Sequence, residues 1–246
     1  RVRSSAASDV YKRQVPFVGN YTEEKIKKVM QILKEDFAGF DAQLIIMDVV
    51  PWMLPYYEAS GIQFEIEDNR DYMDYTFTPE QFLAGMDMQD DRYRYNYFKR
   101  RFAYETEEIT PFHREEIREF MEREWCGEKT CEECHCGCLL RVIDNLVPVF
   151  DKIRINGILV RVEGKMAGLC IVSCRNGLGV YQYKNAVNRI KGINEYLLRE
   201  SFERYLQSAD TINYTEDMGV ENLRYYKEHM APAHTLLSKL TLTERG

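Results

Sequence analysis

Between Gly157 and Ala186 three extended apolar runs follow one another, Gly157 to Val162, Met166 to Ser173 and Leu178 to Ala186. The links between them are too short for a crossover, so the runs form an antiparallel meander. Glu163-Gly164-Lys165 supplies the first turn, with glycine where a tight hairpin needs left-handed backbone. Ahead of the meander lie a strand near Tyr104 to Glu108 and a helix opened by Thr110-Pro111, which lines up Ile117, Phe120, Met121 and Trp125. A cysteine-rich loop and a second helix, Leu139 to Val147, complete that part. Behind the meander come a helix from about Gly192 to Leu206, a short strand Ala209 to Tyr214, a helix Val220 to Met230 and a period-two run Thr235 to Thr243. Helices interrupting an antiparallel sheet in this order describe an α+β (mixed α/β) fold.

The first hundred residues repeat the theme less completely. Thr22 caps a helix of Glu23 to Phe37, whose Ile26, Val29, Met30 and Leu33 form an inward stripe. Leu44 to Met47 reads as a buried strand, and Gln63 to Glu67 with Met73 to Phe77 reads as a pair of strands. Thr78-Pro79 opens another helix. From Asp91 to Phe102 the chain becomes basic and aromatic, through Arg92, Tyr93, Arg94, Tyr95, Tyr97, Lys99, Arg100 and Arg101. Such interleaving suits stacking on bases and neutralising phosphates, and equally a bridging helix whose tyrosines pack while its cations stay wet.

Residues 1–14, Arg-Val-Arg-Ser-Ser-Ala-Ala-Ser-Asp-Val-Tyr-Lys-Arg-Gln, have the look of a non-native scar and are set apart from fold reasoning. The expected organisation is then a partial first half with its bridging helix over 15–102, incomplete at its start, and a second domain over 103–246. With 45% apolar and 30% charged residues the composition is that of a soluble protein, and no apolar run approaches the eighteen or so residues of a membrane span, so a cytoplasmic address is expected. A formal net charge of −7 argues against nonspecific nucleic-acid binding, while leaving room for a local basic patch that docks a tRNA.

The densest run of chemistry-bearing residues is Ile212 to Lys227, closed by Pro232. It joins a strand end, the turn residues Asp217 and Gly219, and a helix on which Arg224 and Lys227, three apart, share a face. Taken alone it is a capped surface helix with solvated charges. Its pattern of Asn213, Asp217, Gly219, Leu223-Arg224, Lys227 and Pro232 resembles the C-terminal signature of the phosphatidylglycerol lysyltransferase C-terminal-like proteins. The likeness extends back through Ile158 to Lys165, Trp125 and Arg70 to Tyr75. It implies a tandem acyl-CoA N-acyltransferase (GNAT-like) fold with an incomplete first half. It further implies transfer of an acyl or aminoacyl group, from acyl-CoA or aminoacyl-tRNA, to an amine or hydroxyl acceptor.

In that fold the helix after the meander holds a donor pyrophosphate, since unpaired helix N–H groups favour anions. The corresponding residues are Arg189, Lys191, Gly192 and Asn194. The resemblance also marks two departures. Asp91-Arg92-Tyr93 stands where relatives carry Lys-Arg-Asn, and Gln182-Tyr183-Lys184-Asn185-Ala186 stands where they carry His-x-Glu-Lys-Ala, so an acid is missing from the strand. A base must then come from elsewhere. Asp217, Glu216 and Tyr183 are the candidates: Asp217 to orient or deprotonate the acceptor, Tyr183 to relay a proton, with Asn213, Arg224 and Lys227 binding the acceptor's anionic part.

Cys126, Cys131, Cys134, Cys136 and Cys138, with His135 among them, could fill a tetrahedral zinc site, with Cys126, Cys131, Cys134 and Cys138 as its ligands. The first three spacings also match one iron–sulfur pattern, and a reduced thiol-rich loop without metal is the plain alternative. Cys170 and Cys174 read as small core residues. The rival functions are therefore a noncatalytic ligand-binding module on the same fold and a zinc-binding regulatory protein. The transferase expectation requires Asp217, Arg224, Lys227 and the Gly192 helix start to share one cleft.

Overall fold

The computed structural model describes residues 10–13, 21–37, 43–126, 139–230 and 233–245. In chain order its elements are β1 (Val10–Arg13), α1 (Glu23–Phe37), β2 (Gln43–Val49), α2 (Leu54–Glu58), β3 (Phe64–Asp68), β4 (Asp74–Phe77), α3 (Pro79–Met86), α4 (Gln89–Arg101) and β5 (Tyr104–Glu108). There follow α5 (Arg114–Met121), α6 (Leu139–Leu146), β6 (Asn156–Val162), β7 (Lys165–Arg175), β8 (Leu178–Ala186), α7 (Ile193–Ser201), β9 (Thr211–Asn213), α8 (Glu221–Met230), β10 (Thr235–Leu237) and β11 (Leu240–Glu244). Contacts divide the chain into two units, a smaller one of Arg1–Tyr75, Glu216–Arg224 and Leu236–Gly246 and a larger one of Thr76–Thr215 and Tyr225–Thr235. The division falls after Tyr75, where the sequence suggests residue 102.

In the smaller unit the sheet order is β1-β2-β11-β3. Ile26 and Met30 of α1 pack with Leu44, Ile46 and Val49 of β2, Tyr57 and Leu242 to form its core, as the inward stripe requires. Strand β1 lies within the stretch set apart as a scar, and pairs parallel to β2 from Val10 against Gln43. Such pairing needs only an extended segment and an open sheet edge, so it places the segment without making it native.

The larger unit carries the meander. The sheet order is β10-β4-β9-β8-β7-β6-β5, with β5 through β8 antiparallel in sequence order. Glu163 and Gly164 both adopt positive φ in the β6–β7 turn. From Met166 to Val172 every residue of β7 is buried, because helices cover both faces of the sheet. Tyr183 and Lys184, neighbours on β8, show which helices: Tyr183 Oη reaches Met121 Sδ of α5 at 3.0 Å, and Lys184 Nζ reaches Asn194 Oδ1 of α7 at 2.8 Å. Successive strand side chains point to opposite faces, so α5 and α7 lie on opposite sides.

Two expectations need correction. The segments read as a paired set, Gln63 to Glu67 and Met73 to Phe77, belong to different sheets: β3 pairs with β11, and β4 pairs with β9. The run Thr235 to Thr243 is likewise two strands, β10 and β11, in different sheets. In both cases the pairing partner arrives from far along the chain, which local alternation cannot announce.

Candidate functional site

Within the smaller unit Asp217 is fully buried and is the hub of an ion-pair cluster. Its carboxylate accepts from Tyr75 Oη at 2.7 Å, from Arg224 Nε and Nη2 at 3.0 Å each, from Arg70 Nη1 at 3.2 Å and from the Gly219 N–H at 2.9 Å. Arg224 Nη2 also donates to Asp71 at 2.7 Å. Burial works against ionisation of Asp217, but the hydrogen bonds from Arg224, Tyr75 and Gly219 outweigh it and hold the carboxyl well below the ordinary range. Gly219 has φ +72°, and a Cβ there would sit 2.9 Å from the Asp71 carboxylate. Glu216 lies 3.8 Å from Lys239, which also binds Asp74 at 2.7 Å. The carboxylate's acceptors are engaged, which suits Asp217 to tying segments together; a proton acceptor needs a free lone pair and a pKa nearer neutrality.

Within the larger unit, Asn213 and Lys227 brace the end of β9. Thr215 has φ +57°, strained for a β-branched residue. Asn213 Oδ1 accepts from the Thr215 N–H at 2.7 Å, while the Lys227 ammonium donates to the Tyr214 carbonyl at 2.5 Å and to Thr215 Oγ1 at 3.4 Å. Lys227 is only 3% exposed and its amine lies 4.6 Å from the Tyr214 ring centroid. Lys227→Met leaves a buried carbonyl without its donor, so thermal melting should show a loss of about 1–3 kcal/mol.

The residues read as a phosphate loop each have a partner in the protein. Gly192, with φ +87°, caps α7, and a Cβ on it would lie 2.1 Å from the carbonyl oxygen of Arg94 in α4. Glycine is required there because α4, not a ligand, approaches closely. Lys191 rests over the rings of Tyr93 and Tyr97 at 4.8 and 5.2 Å, Arg189 lies 3.7 Å from Glu124, and Asn194 accepts from Lys184. The basic-aromatic helix thus packs against α7, its cations and tyrosines partly engaged with each other.

A group of polar residues that the sequence does not single out as a site gathers where β8 and β9 part. The two strands pair in parallel only from Leu178 against Thr211 to Val180 against Asn213, after which β9 ends and β8 runs on to Ala186. Beside the length of β8 past the end of β9 lie Lys184, Asn194 and Glu195, with Arg94 Nη1 3.3 Å from Glu195 Oε1. Asp91 is three residues from Arg94 and so shares its helix face. Burial, and then the nearby Glu195, push the Asp91 carboxyl up to about 6. Dense packing pushes the Lys184 amine down, with Glu195 and Asp91 acting against it. The hydroxyls of Tyr214 and Tyr226 complete the group, both pushed up by burial. Asp91, Lys184 and Tyr226 retain partial exposure, so solvent reaches the group. The two departures from the family pattern, Asp91 and Lys184, therefore sit in one electrostatic neighbourhood with opposite charges. The available signal was a sign reversal, Asp90 and Asp91 ahead of Arg92 and Arg94 at the start of an otherwise cationic helix.

Of the expected site residues, Asn213, Lys227, Arg189, Lys191, Gly192, Asn194 and Tyr183 lie in the larger unit, and Asp217, Glu216 and Arg224 in the smaller. Tyr183 faces α5, on the opposite side of the sheet from Lys184. Cys131, Cys134 and Cys138, the Cys126 side chain and Pro232 lie outside the described residues. Cys170 is buried and free, Cys174 half-buried and free. Among the described residues no helix is long and apolar enough to cross a membrane.

The solved structures similar to this chain include the following three. A conserved protein of unknown function from Bacteroides thetaiotaomicron VPI-5482 superposes with TM-score 0.75 at 25% identity, over 96% of this chain and 79% of that one. The L-PGS from Bacillus licheniformis gives TM-score 0.60 at 15% identity, over 87% and 71%. A tandem GNAT protein from the clavulanic acid biosynthesis pathway gives 0.51 at 11% identity, over 88% and 67%. These likenesses establish a GNAT-like fold. No curated protein matches the sequence. The family described as "Phosphatidylglycerol lysyltransferase, C-terminal" matches residues 7–238, nearly the whole chain, and the protein belongs to it.

Proposed function

We propose that the protein transfers an acyl or aminoacyl group, from acyl-CoA or aminoacyl-tRNA, to an amine or hydroxyl acceptor, with the reaction taking place where β8 and β9 part. The observation that carries this reading is the length of β8 past the end of β9, paired there with β7 alone among the described strands, with its partly exposed polar group, set inside a GNAT-like fold. Separated strands leave backbone and side-chain groups free to meet a planar acyl carbonyl, which a paired sheet cannot do. In this reading Lys184 faces the carbonyl oxygen and stabilises the charge that grows there as the acceptor attacks. Asn213 with Lys227 holds the backbone at the end of β9.

Incubation with labelled acetyl-CoA, and separately with a labelled aminoacyl-tRNA pool, against amine and hydroxyl acceptors tests the reading. Lys184→Met should lower turnover about 100-fold, the scale on which loss of one oxyanion donor acts. Unchanged turnover in that variant contradicts the assigned role.

A second reading, a ligand-binding module without turnover, is favoured by the intramolecular partners of Arg189, Lys191, Gly192 and Asn194. It expects thermal stabilisation by a ligand and no product.

A further inference from the structure

We infer that a cavity in the smaller unit binds the zwitterion of an apolar amino acid, with the side chain inside the cavity and the two charged groups met by Glu58 and Arg245. The cavity measures about 290 Å³ and is walled by Leu54 and Tyr57 of α2, Ile62, Phe64 and Ile66 in and ahead of β3, and Leu242 of β11. It goes beyond the transfer reading and does not rest on it: these residues belong to the smaller unit, and Lys184 and Asp91 to the larger.

The cavity follows from a mismatch of lengths. Helix α2 has five residues and spans about 7–8 Å, whereas β3, also of five residues, spans about 17 Å, so the helix cannot cover the strand. Phe64 and Ile66, two apart, share a face of β3, and Leu242 pairs with Ile66 from β11. Leu242 is 1% exposed and Ile66 is 48% exposed, so the apolar surface runs from the core out to the cavity mouth. Tyr57 is 1% exposed, and its hydroxyl, with the Tyr21 phenol in electrostatic reach, has no hydrogen-bond partner among the described residues. A guest, or a water entering with it, would supply the missing acceptor.

Size and charge select the guest. Ligand pockets range over about 300–1,000 Å³, and this one lies at the small end, which suits a molecule the size of one amino acid. Glu58 and Arg245, opposite in sign and both exposed, also line the cavity. Glu58 has no ion-pair partner among the described residues. Arg245 lies 3.8 Å from Glu65, with both side chains more than half exposed, and its N–H donates to the Gln63 carbonyl at 2.9 Å, which anchors its backbone beside the cavity. An aliphatic carboxylate satisfies Arg245 alone, and an alkylammonium satisfies Glu58 alone. A zwitterion satisfies both, its carboxylate accepting from the guanidinium and its ammonium donating to Glu58.

The test is calorimetric titration of the full chain at about pH 7.5 with L-leucine, with 4-methylpentanoate, which lacks the ammonium, and with 3-methylbutylamine, which lacks the carboxylate. Glycine is the control without a side chain. L-leucine should bind about tenfold or more tightly than either single-charge analogue, the scale of one charge-assisted hydrogen bond, and about tenfold or more tightly than glycine, the scale of one buried apolar side chain. Arg245→Gln should lose about tenfold for leucine and for 4-methylpentanoate and leave 3-methylbutylamine unchanged; Glu58→Gln should lose about tenfold for leucine and for 3-methylbutylamine and leave the carboxylate unchanged. Both positions are exposed, so melting curves of the two variants should match the wild type. No binding of leucine, binding no tighter than that of glycine, 4-methylpentanoate binding as tightly as leucine, or variants that lose all three ligands alike each overturn the inference. The titration reads no transfer, so its outcome is separate from that of the assay on Lys184.

Discussion

Asp217→Asn is expected to destabilise the protein by about 3 kcal/mol, the cost of breaking one partner out of a buried charged cluster. The variant keeps the shape of the side chain and replaces an acceptor oxygen with an NH2 group that faces guanidinium donors. With the amide nitrogen in the Oδ2 position, Tyr75, Arg70 and Arg224 Nε lose their acceptor, while the remaining oxygen still accepts from the Gly219 N–H and Arg224 Nη2. For a chain of this size that loss lowers the melting temperature by about 10 °C. The pH dependence follows from the sign of the shift. The folded carboxyl lies below its unfolded value of about 4, so its stabilising contribution is fully present above that pH and is lost as pH falls through the folded value. Melting curves of the two proteins should differ most near neutrality and converge in acid. A constant difference down to the lowest accessible pH contradicts the ion-pair account of this cluster.

Gly192→Ala is the second large effect. An added Cβ meets the Arg94 carbonyl oxygen at 2.1 Å, closer than any real contact, and the residue must also hold φ +87°. The backbone term is about 1–2 kcal/mol and the forced separation of α4 from α7 about 1–3 kcal/mol more. The separation should also disturb the Arg94–Glu195 pair and the seat of Lys191 on Tyr93 and Tyr97. Gly164→Ala is the matched control, with φ +75° but nothing within 4 Å of the new Cβ, so it bears the backbone term alone. Chemical denaturation of both variants isolates the clash; equal losses would show that α4 does not press on Gly192.

The larger unit was the more legible from sequence, for reasons visible in its residues. The meander announced itself because β6, β7 and β8 are joined by short turns, and Glu163-Gly164 is a turn pair that local chemistry alone specifies. Gly192 stands out in the sequence as the glycine at the helix start after the meander, but a glycine cannot say what approaches it, and the neighbour is α4. Arg224 and Lys227 share a helix face by spacing. The spacing gives no hint that one meets carboxylates and the other a strained carbonyl. The assignment of β3 and β4 to separate sheets was invisible because β11, which pairs with β3, comes from the far end of the chain. Asp91 and Lys184 appeared as losses when compared with the family pattern one position at a time. Only the fold brings them to the same place, where each offsets the other's charge.

The most direct test of the transfer site is a product assay with wild type and Lys184→Met, using labelled acyl-CoA or aminoacyl-tRNA with amine and hydroxyl acceptors. The account expects a labelled amide or ester from the wild type and a loss of about 100-fold in a variant that still melts cooperatively. A folded Lys184→Met protein that forms product at the wild-type rate would place the chemistry somewhere other than the parting of β8 and β9.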